Sequence, residues 1–201
     1  MLAYTFKQIK TALLLVAIFT VLTGIIYPVM ITGIAQLFFP WRANGSLLQH
    51  DGRIMGSVLI GQTFTDPKYC WGRPSATTPY PYNTLDSSGS NLAASNPVLL
   101  SAVRERVKRL QSADPFNQKF IPVDLVTTSA SGLDPHISRL SAFYQVPRIA
   151  RARGISKSEV EAIIQELENH SVCNILGEPR INVLKLNMAL DHLNITARPS
   201  A

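Results

Sequence analysis

From Ala12 to Phe39 the chain is apolar, interrupted only by Thr20, Thr23, Thr32, Gln36 and small residues. Positions 11–41 carry no Asp, Glu, Lys or Arg. A helix of that length exposed to water needs a polar face, so the pattern predicts a helix whose solvent is lipid. About 20 residues cross a hydrocarbon core of roughly 30 Å, and this run exceeds that length. Tyr4 and Phe6 precede it and Phe38, Phe39 and Trp41 follow it, the placement of an interfacial aromatic belt. Pro28 predicts a kink or the point of exit from the membrane. Thr20 and Gly24 lie four apart, as do Gly24 and Pro28, so one narrow face could meet another helix closely. A cleaved leader has an apolar core of about 7–15 residues and a small-x-small cleavage site. The longer run here, ending in Phe38-Phe39-Pro40-Trp41, predicts an uncleaved anchor.

Beyond the anchor the periodicity changes. Ile54–Ile60 reads as a strand. Ser95-Asn96-Pro97 starts a helix, with Leu100, Val103, Val107 and Leu110 on one face, and Asp114-Pro115 ends it. Ile121–Thr128 reads as a strand with Pro122 at its edge. Asp134-Pro135 is expected to open a helix that Pro147 interrupts and Gly154 stops. Ser156-Lys157-Ser158-Glu159 has the spacing of a capping box, ahead of Val160, Ile163, Ile164 and Leu167. Arg180–Leu186 reads as a strand and Asn187 as the cap of a last helix through Leu193. The expected architecture is an α/β (or α+β) soluble domain preceded by a single N-terminal transmembrane helix. It divides into a short cytoplasmic tail (1–10), the membrane helix (11–39) and one soluble periplasmic domain (40–201).

Charge refines this picture. Lys7, Lys10 and the terminal amine hold the acid-free tail inside by the positive-inside rule, while Arg42 and Arg53 follow the span. The chain carries 19 basic and 13 acidic residues. Three of the cations and none of the acids fall in positions 1–42, so little net charge remains beyond them for a nucleic-acid partner. Gly154-Ile155-Ser156 resembles a helix-turn-helix turn, but the following helix carries Glu159, Glu161, Glu166 and Glu168, which repel phosphates. Arg148, Arg151 and Arg153 read as a solvated helix face. Cys70 and Cys173 form no zinc pattern or disulfide framework, and whether they pair is left open. Asn44-Gly45-Ser46, Asn169-His170-Ser171 and Asn194-Ile195-Thr196 match glycosylation sequons of low specificity.

The segment Asp66–Pro97 holds Pro67, Pro74, Pro79, Pro81 and Pro97 and the run Ser87-Ser88-Gly89-Ser90-Asn91. An aperiodic stretch this long is functional or disordered. Disorder goes with few aromatics and high charge, whereas Tyr69, Trp71, Tyr80 and Tyr82 lie here and only Asp86 is charged between Arg73 and Pro97. Neutral aromatic and amide side chains suit burial against a partner, or against the segment's own domain. The partner-contact candidates are Tyr80, Tyr82, Asn83, Ser87, Ser88, Gly89, Ser90, Asn91 and Asn96. Ser87–Asn91 could also form an anion-binding nest, although no P-loop pattern accompanies it. Ser131 beside His136 would be a nucleophile and its base, but Gly-x-Ser-x-Gly is absent and Asp134 reads better as an N-cap. Asp134 and His136 alone make no metal site. No catalytic set and no metal site is expected.

Several motifs together carry a resemblance. They are Gly56-Ser57-x-Leu59-Ile60-Gly61-Gln62, Arg73-Pro74-Ser75-Ala76, Ser87-Ser88-Gly89-Ser90-Asn91-Leu92 with Ser95-Asn96-Pro97, and Gly132-Leu133-Asp134-Pro135-His136-Ile137-Ser138. Tyr144-Gln145-Val146, Arg151-Ala152-Arg153-Gly154 and Leu176-Gly177-Glu178-Pro179-Arg180 continue the series. In this order they resemble the C subunit of Kdp-type potassium-transporting ATPases. Cys70 departs from an aromatic position of that family and Ala130 from a glycine. The resemblance implies a bacterial inner-membrane complex with a potassium-channel-like subunit and a P-type ATPase subunit. The C subunit would be an accessory without tightly bound cofactor, assisting assembly and raising the ATP affinity of the catalytic subunit. Gln145 is the position the resemblance ties to nucleotide. A periplasmic domain would not meet cytosolic ATP, which favours a scaffold role in which the Pro74–Pro97 loop docks on the channel-like subunit. The competing expectation is a membrane-anchored extracytoplasmic serine hydrolase using Ser131 or Ser90.

Overall fold

A computed structural model describes residues 2–168 and 177–196. The chain divides into two compact units, 1–47 and 48–201.

In the first unit, α1 (Leu2–Val21) passes through one π-helical turn, Leu22–Ile26, into α2 (Tyr27–Phe38), and a single turn α3 (Pro40–Ala43) follows. The helix begins at Leu2, so the expected tail is itself helical. Tyr4–Phe38 is long and apolar enough to cross a membrane. Its 35 residues reach roughly 50 Å at the α-helical rise of 1.5 Å per residue. Pro28 neither ends nor breaks the helix. A proline lacks the N–H and its ring crowds the carbonyl four residues back. Here the preceding turn widens, with the Tyr27 N–H reaching Leu22 O, as π-bulges do. Thr23 Oγ1 donates to Phe19 O at 2.7 Å in the same turn. Past the span, Trp41 Nε1 donates to Leu47 O at 2.9 Å. Asn44 and Gln36 join through their side-chain amides.

The second unit combines helices with two small ribbons. β1 (Leu47–His50) pairs with β2 (Arg53–Ser57) across Asp51-Gly52, both at positive φ, as a type I′ turn requires. α4 (Pro97–Ala113) is capped by Asn96, whose Oδ1 accepts from the Val98 N–H. β3 (His136–Ser138) runs antiparallel to β4 (Arg180–Asn182) with Ile137 opposite Ile181. α5 (Arg139–Arg153), α6 (Lys157–Glu166) and α7 (Val183–Thr196) complete the unit. The architecture is the α+β form of the expected class.

Ile137, Val146, Ile149, Val160, Ile164, Ile181, Leu186 and Leu190 form the main core, where α5, α6, α7 and the β3–β4 ribbon meet. A smaller cluster joins Leu110 of α4 to Trp71, Leu125, Val126 and Tyr144, with Val103 and Val107 alongside. The helical spacing read from the sequence is thus the buried face of α4 from Val103 to Leu110, whereas Leu100 stays exposed. Gly154 stops α5 at φ +68° and Ser156 with Glu159 forms the capping box, both as expected.

Four expectations are corrected. Ile121–Thr128 is no strand but an irregular connection with one 3₁₀ turn, Val123–Leu125. Asp124 there accepts from the Ser138 N–H at 2.8 Å and from Ser141 Oγ, so local polar bonds outweigh β-propensity. Asp134 is not an N-cap: it accepts from the His136 N–H at 2.9 Å, while Ser138 caps α5, which runs on through Pro147. The strand at Ile54–Ile60 stops at Ser57, whose Oγ accepts from the Leu59 N–H. The strand at Arg180–Leu186 lasts three residues. Asn182 Oδ1 accepts from the Lys185 N–H, α7 follows at once, and Asn187 sits inside it.

Candidate functional site

The long aperiodic segment is ordered, and two sets of side chains hold it. The first grips residues 67–71 between α5 and α7. Successive residues of an extended chain turn their backbone groups to opposite sides. Asn187 takes Cys70, with Oδ1 accepting its N–H at 2.7 Å and Nδ2 donating to its carbonyl at 3.0 Å. Gln145 treats Trp71 in the same way, at 2.8 and 3.1 Å. Each amide side chain replaces one rung of a neighbouring strand. Arg148 Nη2 donates to Gln145 Oε1 at 2.6 Å and its Nη1 to Tyr69 O at 3.0 Å. Arg153 Nε donates to Lys68 O at 2.7 Å and its Nη2 bridges to Asp191 at 2.8 Å.

This corrects the reading of the arginines as a solvated face. Arg148 is 4% exposed, and burial pulls its pKa down to about 10 against the charges that favour protonation. The Arg153 side chain is fully buried, and Arg151 reaches from the surface to buried Asp114 at 2.9 Å. Burial also pushes the Cys70 thiol up to about 12, so it is inert as a nucleophile. Its pairing with Cys173 lies outside the described residues.

The second set folds residues 73–91 onto the 128–134 turn. Arg73 reaches Asp134 and Thr128 O, both at 3.3 Å. Ser75 Oγ donates to Gly132 O at 2.7 Å and accepts from the Tyr82 N–H at 2.9 Å. Thr77 Oγ1 donates to Tyr80 O and accepts from the Asn83 N–H. Tyr82 donates its hydroxyl to Arg73 O at 2.6 Å, and burial raises its pKa to about 12. Ser87 Oγ donates to Ser131 O, and Gly89 lies so close to Ala130 that an added Cβ would sit 2.9 Å from its carbonyl oxygen. Burial alone would raise the Asp134 pKa, but the hydrogen bonds from His136 and the charge of Arg73 turn the net shift downward.

The partner-contact candidates therefore divide. Asn83 is buried, Tyr82 half-buried, Ser87 tied to Ser131, and Asn96 spent as the α4 cap. Ser88, Gly89 and Ser90 are half-buried, and Asn91 is exposed at positive φ. Tyr80 is 54% exposed, and so is a residue the sequence reading passed over, Leu85, at 90%. On the membrane helix Thr20 is exposed, and a Cβ at Gly24 would meet nothing within 4 Å.

Ser131 Oγ accepts from the Leu133 N–H, and His136 faces Asp134 at 3.6 Å. Among the described residues no hydrogen bond joins that histidine to Ser131 or Ser90, and no three metal-ligating side chains cluster. Gln145 is 1% exposed. Its oxygen accepts two hydrogen bonds and its nitrogen donates to Trp71 O and Ser141 O, the full capacity of a primary amide. In this conformation the position does not fit direct contact with a nucleotide.

A helix long and apolar enough to span a membrane, followed by a unit built on buried polar braces, places the chain in the class of membrane-associated polypeptides. The family model described as "K+-transporting ATPase, c chain" matches residues 9–192, and the chain belongs to this KdpC family. It is therefore a subunit of a potassium-transporting ATPase complex. It is 54% identical over 187 residues to the potassium-transporting ATPase KdpC subunit of Methylococcus capsulatus, covering 93% of this chain and 98% of that one. The corresponding subunit of Herpetosiphon aurantiacus is 53% identical, covering 92% and 95%. That of Methylibium petroleiphilum is 55% identical, covering 91% and 96%.

Proposed function

We propose that this subunit is a non-catalytic scaffold of its transport complex. It is anchored in the bacterial inner membrane by its N-terminal helix and docks its head on the periplasmic side of the channel-like subunit. One observation carries the reading. The 73–91 loop is braced by Ser75, Thr77, Tyr82 and Asn83, yet two large side chains, Tyr80 and Leu85, stay exposed at its rim. A rigid loop offering an aromatic and an aliphatic side chain loses little entropy on binding. Assistance in assembly follows from that contact. A raised ATP affinity of the P-type ATPase subunit then arises through the assembled complex, without nucleotide at Gln145.

The double variant Tyr80→Ala, Leu85→Ala removes side chains of residues that are 54% and 90% exposed and leaves the backbone hydrogen bonds of the loop in place. It is expected to leave the melting temperature of the chain within about 2 °C while lowering its co-purification with the other subunits about tenfold or more. Unchanged co-purification and potassium uptake would refute the docking role. Orientation has its own measurement. A reporter fused after Ala201 that is active only in the periplasm is expected to be active, in keeping with Lys7 and Lys10 on the retained side. An inactive reporter beside an active cytoplasmic one reverses the topology.

A further inference from the structure

Beside the braced loop lies a cleft of about 220 Å³, lined by Trp71, Arg73, Pro81, Tyr82, Arg106 and Arg109 among others. Three arginines line it against two carboxylates, Asp134 on Arg73 at 3.3 Å and Glu105 as the neighbour of Arg106. The Nε of Arg73 is buried with no hydrogen-bond partner among the described residues. Arg106 spends one N–H on Val126 O at 2.8 Å, and burial lowers its pKa, with Glu105 the neighbouring charge opposing the shift. Arg109 lies 4.9 Å from the Trp71 ring centroid and makes no salt bridge among the described residues. Trp71 is itself set by Gln145. The cleft therefore holds more fixed positive charge than the fold neutralises, within low-dielectric walls that strengthen its field.

We propose that this cleft receives the acidic side chains of a peptide segment from another subunit of the transport complex. The inference rests on the docking reading above and adds the chemistry of the partner. Arginine, with no lysine in the lining, suits bidentate capture of planar carboxylates. The Trp71, Tyr82 and Pro81 walls cover the hydrocarbon of a Glu or Asp side chain and its backbone, whereas a bilayer of headgroups presents a broad surface to a narrow cleft.

The test uses the full chain within the complex. Arg109→Glu is expected to lower co-purification at least tenfold at low salt and to flatten its dependence on salt, with the melting temperature of the chain unchanged. Arg109→Lys keeps the charge and is expected to retain the complex. It also places an amine in the cleft, so a carbodiimide is expected to couple position 109 to an Asp or Glu of another subunit, identified by mass spectrometry. The proposal is overturned if Arg109→Glu co-purifies as well as wild type and Arg109→Lys forms no such link. If the Tyr80→Ala, Leu85→Ala variant dissociates while Arg109→Glu does not, the docking reading survives and the acidic partner falls. If neither dissociates, both fall. Inorganic phosphate or phosphatidylglycerol vesicles that stabilise wild-type chain but not Arg109→Glu, with assembly unaffected, would assign the cleft to a small anion or a lipid headgroup and overturn the proposal.

Discussion

Gln145→Ala is expected to lower the melting temperature of the head by roughly 6–12 °C. The side chain joins Trp71 N–H and carbonyl, Ser141 O and Arg148, all in a region closed to water. Truncation leaves Trp71 N–H and the Arg148 guanidinium short of an acceptor. An unsatisfied buried group costs about 1–3 kcal/mol, so a total near 3 kcal/mol follows, and each kcal/mol moves the midpoint by about 2–4 °C at this size. The measurement is thermal unfolding of the full chain in detergent, followed by circular dichroism and Trp71 fluorescence. Any weakened response of the complex to ATP is expected to accompany that loss. A variant with wild-type melting behaviour but a weakened ATP response would instead make Gln145 a ligand contact and defeat the bracing role.

The second large effect is expected at Gly132. Its φ is +67°, and an added Cβ would stand 2.6 Å from Ser88 O and 2.6 Å from Thr77 Cγ2. Left-handed backbone alone costs a residue with a Cβ about 1–2 kcal/mol, and the clash forces the 75–91 loop off the 128–134 turn. Gly132→Ala is therefore expected to destabilise the head by about 2–4 kcal/mol and to loosen the loop enough for chymotrypsin to cleave it at Tyr80, Tyr82 or Leu85. Gly154→Ala is the control: its φ is +68°, but nothing lies within 4 Å of the added Cβ, so it bears only the same backbone strain of about 1–2 kcal/mol. Equal losses and equal cleavage for the two variants would show that close packing at Gly132 contributes nothing.

Part of this was legible before any coordinates. The span follows from composition, because lipid selects side chains position by position whatever the rest of the chain does. α4 and α6 were readable because their signals are local: Asn96-Pro97 and Ser156 to Glu159 at the starts, helical spacing behind them. Asp134-Pro135 misled because Asp serves an N-cap or an Asx turn with equal ease, and only the pairing of His136 with Asn182 decided for the turn.

Long-range contacts decided the functional segment. Cys70 is separated from Asn187 by 117 positions and Trp71 from Gln145 by 74, and no local pattern announces that an amide side chain will serve a distant backbone. The same holds for Arg148 and Arg153, whose charge suggested solvent until the carbonyls of residues 67–69 converged on them. Sequence alone determined that the chain carries a helix long and apolar enough to span a membrane and where α4 and α6 start, since these depend on nearest neighbours and on the solvent. Tertiary structure alone decided that the loop is rigid, that Gln145 is a brace, and that three arginines share one cleft, because each depends on groups meeting across dozens of intervening residues.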